Sequence, residues 1–413
     1  MAIFPLDVFL KPLADNPWTY LVFGLIGFGF GFVLEMSGFG NSKKLAAQFY
    51  FTDLTVLKVM FGAIVTAMVL IFFASAMGIL NFNLVYVPET YLLPGIVGGL
   101  IMGVGFIIGG FCPGTSLVSA STLKIDGIFY LLGAFFGVFL FGESEKYFDS
   151  FWHSTYFGRL TLMDVFNLPT GIVVLLVVAM ALFMFWGGEQ LEAIFGKREL
   201  AREPRFRWVG AVALIAVALG VIVVGQPSSA AKWAQIAPAK EPLLAERAVQ
   251  IEAGELLASL GDDKLRVVML DVRPEGEYNL YHIEGARHAP VESLPSQVST
   301  LLHEPAQNTV VVVMSNDEAA ATQAWKYLTA ESVANVYILE GGINRWIRTF
   351  SEVDTGVSPL ASTVADDQLA WQFEQALGSR YYSASPSPHE FKLAFTPKIK
   401  LERKRSPSGG GCG

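Results

Sequence analysis

Charge and cysteine are what this chain has least of. Only 16% of its 413 residues are charged, where a soluble domain carries roughly 25%, so a chain that meets water on every side is excluded. Cysteine occurs twice, as Cys112 and Cys412, which excludes a disulfide framework and leaves each thiol needing its own explanation. These two cysteines and the five histidines form no spaced ligand motif, so neither a metal nor another cofactor is expected. A net charge of −8 excludes nucleic-acid binding as a general property, and the short cluster Lys398, Lys400, Arg403, Lys404 and Arg405 does not reverse that.

What fills the chain instead is apolar: 53% of residues are hydrophobic and the mean hydropathy is +0.46. The charge is unevenly spread, because residues 1–226 hold 12 Lys+Arg and 14 Asp+Glu while the other 187 hold 17 and 23. Two regions in two solvents follow. Apolar runs at 18–39, 59–80, 92–111, 127–142, 168–187 and 208–225 predict a polytopic helical membrane domain over 1–225 with about six spans. Each run approaches the ~20 residues that cross a ~30 Å hydrocarbon core. The fourth, at 16 residues, is short, and a re-entrant segment there would reverse the parity of the topology. The first run starts at Trp18 without a basic flank beyond Lys11, so it reads as a retained helix and not as a cleaved signal. Loops after runs one, three and five hold Lys43, Lys44, Lys58, Lys124, Lys197, Arg198, Arg202, Arg205 and Arg207, against Lys11, Lys146 and Arg159 on the other side. The positive-inside rule then places both termini, and the C-terminal region with them, outside the cytoplasm; the expected location is a bacterial-type inner membrane with the soluble domain periplasmic.

The apolar half repeats itself. Residues 25–48 laid over 97–120 match Gly27 to Gly99, Gly31 to Gly103, Gly38 to Gly110, Phe39 to Phe111 and Leu45 to Leu117; one residue out of register, Gly62-Ala63 falls on Gly133-Ala134. Repeated halves with glycine-interrupted helices point to a transporter's binding site, although small-residue spacing also recurs in any packed helix bundle. In the second half Gly109-Gly110-Phe111-Cys112-Pro113-Gly114-Thr115-Ser116 puts a thiol where a glycine-rich helix stops and a proline starts the next. Cys112 is expected at a helix N-cap, where backbone N–H groups and the helix dipole favour an anion and a thiolate, and Thr115 and Ser116 add hydroxyls. The alternative is a small buried filler of a helix contact. Glu35, near the matching break, is either an intramembrane functional carboxylate or one close enough to the cytoplasmic end to reach water.

These segments, GGFCPGTSL behind a glycine-rich helix and the earlier GFVLEMSGFGNS, resemble the YeeE/YedE family of sulfur-compound transporters over about residues 18–225. The resemblance implies uptake of thiosulfate or a related small sulfur anion, with Cys112 touching substrate and Gly110, Pro113, Gly114, Thr115, Ser116, Gly40 and Glu35 around it. The sequence departs from the family in having Gly40 where a second cysteine is expected.

Residues 226–243 read as a linker and 244–351 as an α/β domain. Leu270-Asp271-Val272-Arg273, Glu277-Tyr278, His282-Ile283-Glu284-Gly285-Ala286 and Leu339-Glu340-Gly341-Gly342 with Trp346 resemble a rhodanese domain. The resemblance places the sulfur-carrying cysteine at the end of the strand Val310–Met314, in the loop Ser315-Asn316-Asp317-Glu318, where this chain has Ser315. A serine hydroxyl does not carry sulfane sulfur, and Asp317 and Glu318 are expected to repel an anion, so the domain is read as a binding or docking module; His282 and His288 fall within the structural pattern. Residues 352–413 are expected to be irregular, ending in a flexible GGGCG tail that resembles the glycine–cysteine arm of SoxY-type sulfur carriers, with Cys412 as the sulfur-carrying candidate. An idle terminal cysteine is the plainer reading. Transport of a sulfur anion, handed on to sulfur-carrier proteins, is thus the first expectation; a membrane-anchored sulfurtransferase using Cys412 and a sensor or docking protein are the alternatives.

Overall fold

The computed structural model describes residues 18–85, 87–197, 206–304, 308–361, 365–388, 390–391 and 393–401. It falls into two compact units, divided between Gln226 and Pro227.

The first unit is built of apolar helices: α1 (Trp18–Met36), the short α2 (Ser42–Ala46), α3 (Thr55–Ala76), α4 (Leu92–Gly109), the half-helix α5 (Pro113–Ser121), α6 (Ile125–Ser144), α7 (Thr170–Phe195) and α8 (Phe206–Val224). Among the described residues five helical stretches are long and apolar enough to cross a membrane, and the apolar part of α1, Tyr20–Met36, is shorter. The fourth apolar run, short in the sequence, gains length because the helix continues through polar residues at both ends. With 20 residues α6 spans about 30 Å at 1.5 Å per residue. In the stretches holding α4 and α6 only 6% of the apolar window is buried within the chain, so their surfaces require lipid or another protein around them. The internal core lies where α3, α7 and α8 pack, with Val65, Val69, Val174, Val178, Ala181 and Ala218 at its centre. A Cβ on Gly171 would lie 3.0 Å from the Ile222 backbone, which is why α7 and α8 approach so closely there.

One buried charge organises the end of this bundle. Glu192, on the last turn of α7, is almost wholly buried; its Oε1 accepts the Leu54 N–H at 2.6 Å and its Oε2 meets Lys58 Nζ at 2.5 Å. It thereby caps the start of α3, whose first N–H groups lack helical partners.

The second unit contains a five-stranded parallel sheet in the order β1 (Gln250–Ile251), β5 (Val336–Leu339), β4 (Thr309–Met314), β2 (Arg266–Asp271), β3 (Arg287–His288). The central β4 is buried at all six positions, as the run Thr-Val-Val-Val-Val-Met demands of a strand covered on both faces. Helices α10 (Ala253–Leu260), α11 (Glu275–Leu280), α12 (Leu294–His303), α13 (Ala319–Ala330) and α14 (Gly342–Phe350) connect the strands and enclose the core.

Two sequence expectations are corrected here. The stretch 226–243, read as a linker, is mostly helix: α9 (Ser229–Ala245) starts on Ser228, whose hydroxyl accepts the Ala231 N–H, and it runs through Pro238 and Pro242. Tertiary contacts offset the two missing N–H donors. Trp233 packs edge-on to Trp325 at 5.8 Å, and Lys232 pairs with Glu331 at 2.6 Å. The region beyond 351, read as irregular, carries the hairpin β6 (Val357–Pro359) and β7 (Trp371–Phe373) and a terminal strap. Its order comes from docking, not periodicity: one Glu255 oxygen accepts the N–H groups of Lys398 and Ile399 at 2.7 and 2.8 Å, and Tyr337 Oη accepts that of Lys400 at 2.7 Å. Residues 402–413, with Cys412, lie outside the described residues.

Removing one member of a buried ion pair costs about 3–5 kcal/mol, whereas replacing both by apolar residues costs little. Glu192→Met should therefore lower the thermal stability of the detergent-solubilised chain strongly. Lys58→Met in the same chain should recover most of the loss, and equal stability of the single and double variants would contradict the ion-pair reading.

Candidate functional site

Both halves of the repeat break their helix in the same way. Helix α1 ends into Gly38 at φ +76° and α4 into Gly110 at φ +69°, the left-handed conformation that ends a helix most readily on glycine. Each glycine is followed by a fully buried phenylalanine, Phe39 or Phe111, and the chain then turns into a new helix, α2 capped by Asn41 or α5 capped by Cys112. The two breaks meet. Phe39 and Phe111 share one cluster with Leu34, Leu45 and Val56, and a Cβ on Gly110 would lie 3.0 Å from the Ser42 carbonyl oxygen. The aligned pair Leu45 and Leu117 behaves differently, the first buried and the second exposed.

Cys112 is half-buried at the N-terminus of α5, with Pro113 in the first turn. Its Sγ accepts the Thr115 N–H at 3.4 Å and lies 3.3 Å from Thr115 Oγ1, while that hydroxyl oxygen accepts the Cys112 N–H at 3.0 Å. This reciprocal box holds the sulfur at the N-terminus of α5, at the positive end of the dipole. The two hydroxyls named from the sequence are already engaged: Thr115 in the box and Ser116, fully buried, donating to the Pro113 carbonyl at 2.8 Å. Pro113 is exposed, and Gly114 leaves the space beside the sulfur open, its absent Cβ standing 4.0 Å from Cys112 Sγ.

Gly40, the position aligned with Cys112, is crowded where Cys112 is open. A Cβ there would stand 2.7 Å from Glu35 Oε2 and 2.9 Å from Lys124 Nζ. Lys124 donates to the Gly40 carbonyl at 3.0 Å and sits 3.7 Å from Glu35 Oε1, so Glu35 has a cationic partner 89 residues away in sequence. Ser42 donates to Asp126 at 2.9 Å across the same junction. Sequence reasoning named Glu35 but missed Lys124 and Asp126, which sit in a loop and a first helical turn and carry no motif.

At the other end of α4, about 26 Å away by the helical rise of its 18 residues, a cavity of about 530 Å³ opens between Glu89, Tyr91, Gly95, Gly99, Glu145 and His153.

In the second unit the loop Ser315-Asn316-Asp317-Glu318 follows β4 and leads into α13. Ser315 is buried, its Oγ accepting the Ala321 N–H at 3.3 Å. The loop closes onto Gly342, at φ +54°, where a Cβ would overlap the carbonyl oxygens of Ser315, Asn316 and Asp317. Glu318 accepts the Gly341 N–H at 2.9 Å and pairs with Arg247 at 2.7 Å, and Asp317 accepts from Asn344 Nδ2 at 3.0 Å. The two acids read as repelling a substrate thus tie the loop together. Neither nitrogen-bearing candidate stands free: His282 stacks on Tyr278 at 3.9 Å, and His288 meets the Arg273 carbonyl at 2.9 Å. Beneath them lies a buried Asp271–Arg273 pair at 2.6 Å. One residue without any local signal completes the loop: the Asp367 carboxylate accepts the N–H groups of Asp317 at 2.7 Å and Ala320 at 2.6 Å.

A family model for sulphur transport matches residues 36–241, and one for the rhodanese-like domain matches residues 252–349. The chain belongs to the sulphur transport family. Its sulphur-transport segment contains both helix breaks and all the apolar helices except most of α1, and the chain is a multi-pass membrane protein with a rhodanese-like domain fused behind. Among curated proteins it is similar to the thiosulfate transporter TsuA of Spirochaeta thermophila, 27% identical over 52% of this chain and 65% of that one. It is also similar to the human centrosomal protein of 41 kDa, 29% identical over 34% and 40% of the two chains. A third relative is SseB of Mycobacterium tuberculosis, named as a thiosulfate sulfurtransferase, 35% identical over 24% and 37%. The chain spans less than two thirds of the length of each of these relatives.

Glu340, behind the rhodanese-like loop, links it to the terminal strap. Burial alone would raise its carboxyl, but the Arg345 hydrogen bond and the charges of Arg345, Arg247 and Lys398 outweigh that and hold it below the ordinary glutamate value. A carboxyl lowered on folding contributes stability that is present above its unfolded value and disappears as pH falls through the folded one. The stability difference between the parent and Glu340→Gln should therefore be constant near neutrality and shrink in acid; a difference that grows in acid would contradict the assignment. Urea titrations at a series of pH values read it directly.

Proposed function

We propose that this chain carries thiosulfate or a related small sulfur anion across a bacterial-type inner membrane, with Cys112 contacting the cargo. The observation that carries this reading is the placement of a half-buried thiol at the N-cap of a half-helix, inside the sulphur-transport segment, where the two broken halves of a repeat meet. An anion at that position gains from the positive end of the α5 dipole. The similarity to a thiosulfate transporter supports the choice of cargo.

Orientation follows the basic loops. Lys43, Lys44, Lys58, Lys124 and Lys197 mark the cytoplasmic face, so the Cys112 end of α4 faces inward and the rhodanese-like domain faces the periplasm. The membrane and soluble parts divide at about residue 226, and α9 and the strap at 393–401 belong with the soluble part. The domain serves to bind or dock, because its loop holds a buried serine in place of a thiol. Cys412 carries or hands on sulfur to carrier proteins from the tail beyond Leu401, 11 residues further on, which gives it a reach of at most about 40 Å from that residue.

Thiosulfate uptake by proteoliposomes should fall at least tenfold in Cys112→Ala, while Cys412→Ser leaves uptake within twofold of the parent. Undiminished uptake in Cys112→Ala would end the reading. A membrane-anchored sulfurtransferase would show the opposite pattern, losing sulfur transfer with Cys412 and keeping it without the membrane half.

A further inference from the structure

The rhodanese-like loop already holds an anion, and the anion belongs to the chain. Two main-chain N–H groups at the start of α13, those of Asp317 and Ala320, point at the two oxygens of one carboxylate, each at a charge-assisted distance of 2.7 or 2.6 Å. That carboxylate is Asp367, 47 residues past Ala320, on a segment that crosses the mouth of the loop.

The segment is fastened on both sides of the carboxylate. Asp367 donates its own N–H to Asp317 Oδ2 at 3.1 Å, and its carbonyl accepts from Asn316 Nδ2 at 2.9 Å. One turn further, Asn344 Nδ2 donates to the Gln368 carbonyl at 2.8 Å, Asn344 Oδ1 accepts the Ala370 N–H at 2.8 Å, and Trp371 Nε1 donates to the Asn344 carbonyl at 3.2 Å. Asp367 itself is held at φ +57°, a conformation uncommon for a residue with a Cβ. Its surroundings over-determine that strained backbone. Beside it a pocket of about 510 Å³ is walled by Arg247, Asp317, Glu318, Thr322, Gly341 and Asp366, and its one cation among the described residues is committed to Glu318 and Glu340. Among the described residues nothing in that mouth would draw a dissolved anion past residues 365–371.

We propose that residues 365–371 are a tethered occupant of the loop: the Asp367 carboxylate fills the amide pair at the start of α13, excludes sulfur oxyanions, and keeps the rhodanese-like domain closed. This is a property of the soluble unit and stands or falls separately from the transport reading. It also means that the serine is not the only lock. Restoring a thiol at position 315 leaves the loop closed to anions until Asp367 is displaced.

The test uses full-length chain in detergent, in a Cys412→Ser background, with S315C alone and combined with D367G or D367N. Glycine accepts the positive φ, and asparagine keeps the size and shape while shedding the charge. The thiol introduced at position 315 is alkylated with iodoacetate or iodoacetamide and followed by peptide mass spectrometry. In both reactions the thiolate displaces iodide and forms one C–S bond, so the reagents differ in charge at the incoming group. With S315C alone, iodoacetate should react at least tenfold more slowly than iodoacetamide. D367G and D367N should each shift the ratio toward iodoacetate by at least fivefold, and millimolar thiosulfate should slow alkylation only in those variants. D367N carries the test whatever D367G does to folding. A reagent ratio that stays the same in D367N, or thiosulfate protection already present with S315C alone, would overturn the proposal.

Discussion

The contact on which the membrane half depends is the meeting of two helix breaks. Gly110 lies against the Ser42 backbone, and Phe39 and Phe111 enter one small apolar cluster. Each break needs a left-handed glycine to stop one helix, a buried aromatic to fix the corner and a capping side chain to start the next. Because the corners are shared, the two breaks pack as one cluster. The polar bonds across the junction, Lys124 to Gly40 and Ser42 to Asp126, follow from that approach. The repeat is symmetric in backbone and asymmetric in chemistry: the second corner presents a thiol at an open helix end, and the first presents a glycine hemmed in by Glu35 and Lys124.

In the soluble domain the rhodanese-like fold is kept while side chains of the same chain bond to the loop after β4. The buried Asp271–Arg273 pair and Gly342 hold the loop after β4. What differs is what fills it. Ser315 turns its hydroxyl to the Ala321 amide, and Asp367 takes the amides that remain nearest the mouth. The same domain receives α9 on one side and the 393–401 strap on another, so both ends of the chain's second unit are pinned to it. For a protein whose other half lies in lipid, such a module fixes where the terminal residues begin.

Much of this was legible in the sequence, and what was not has a physical reason. The glycine offset from residues 38 to 110 marked both breaks, because only glycine takes positive φ cheaply. Pro113 behind Cys112 marked the restart of the helix. Asp271, Arg273 and the Gly341-Gly342 pair marked the rhodanese-like fold, and the family matches agree. Helix α9 was hidden by Pro238 and Pro242, which suggest a linker until the Trp233 contact with Trp325 is seen. Asp367 was hidden because its partners lie about fifty residues earlier and nothing around it has a period. The Glu35–Lys124 pair is likewise a product of tertiary folding alone.

The central claim is that Cys112 stands where a sulfur anion passes. The most direct measurement is the rate at which a membrane-permeant maleimide modifies Cys112 in the Cys412→Ser chain, reconstituted in lipid, with and without thiosulfate. The account predicts that thiosulfate slows the reaction several-fold in a saturable way while an equal concentration of chloride does not. A labelling rate indifferent to thiosulfate would contradict it.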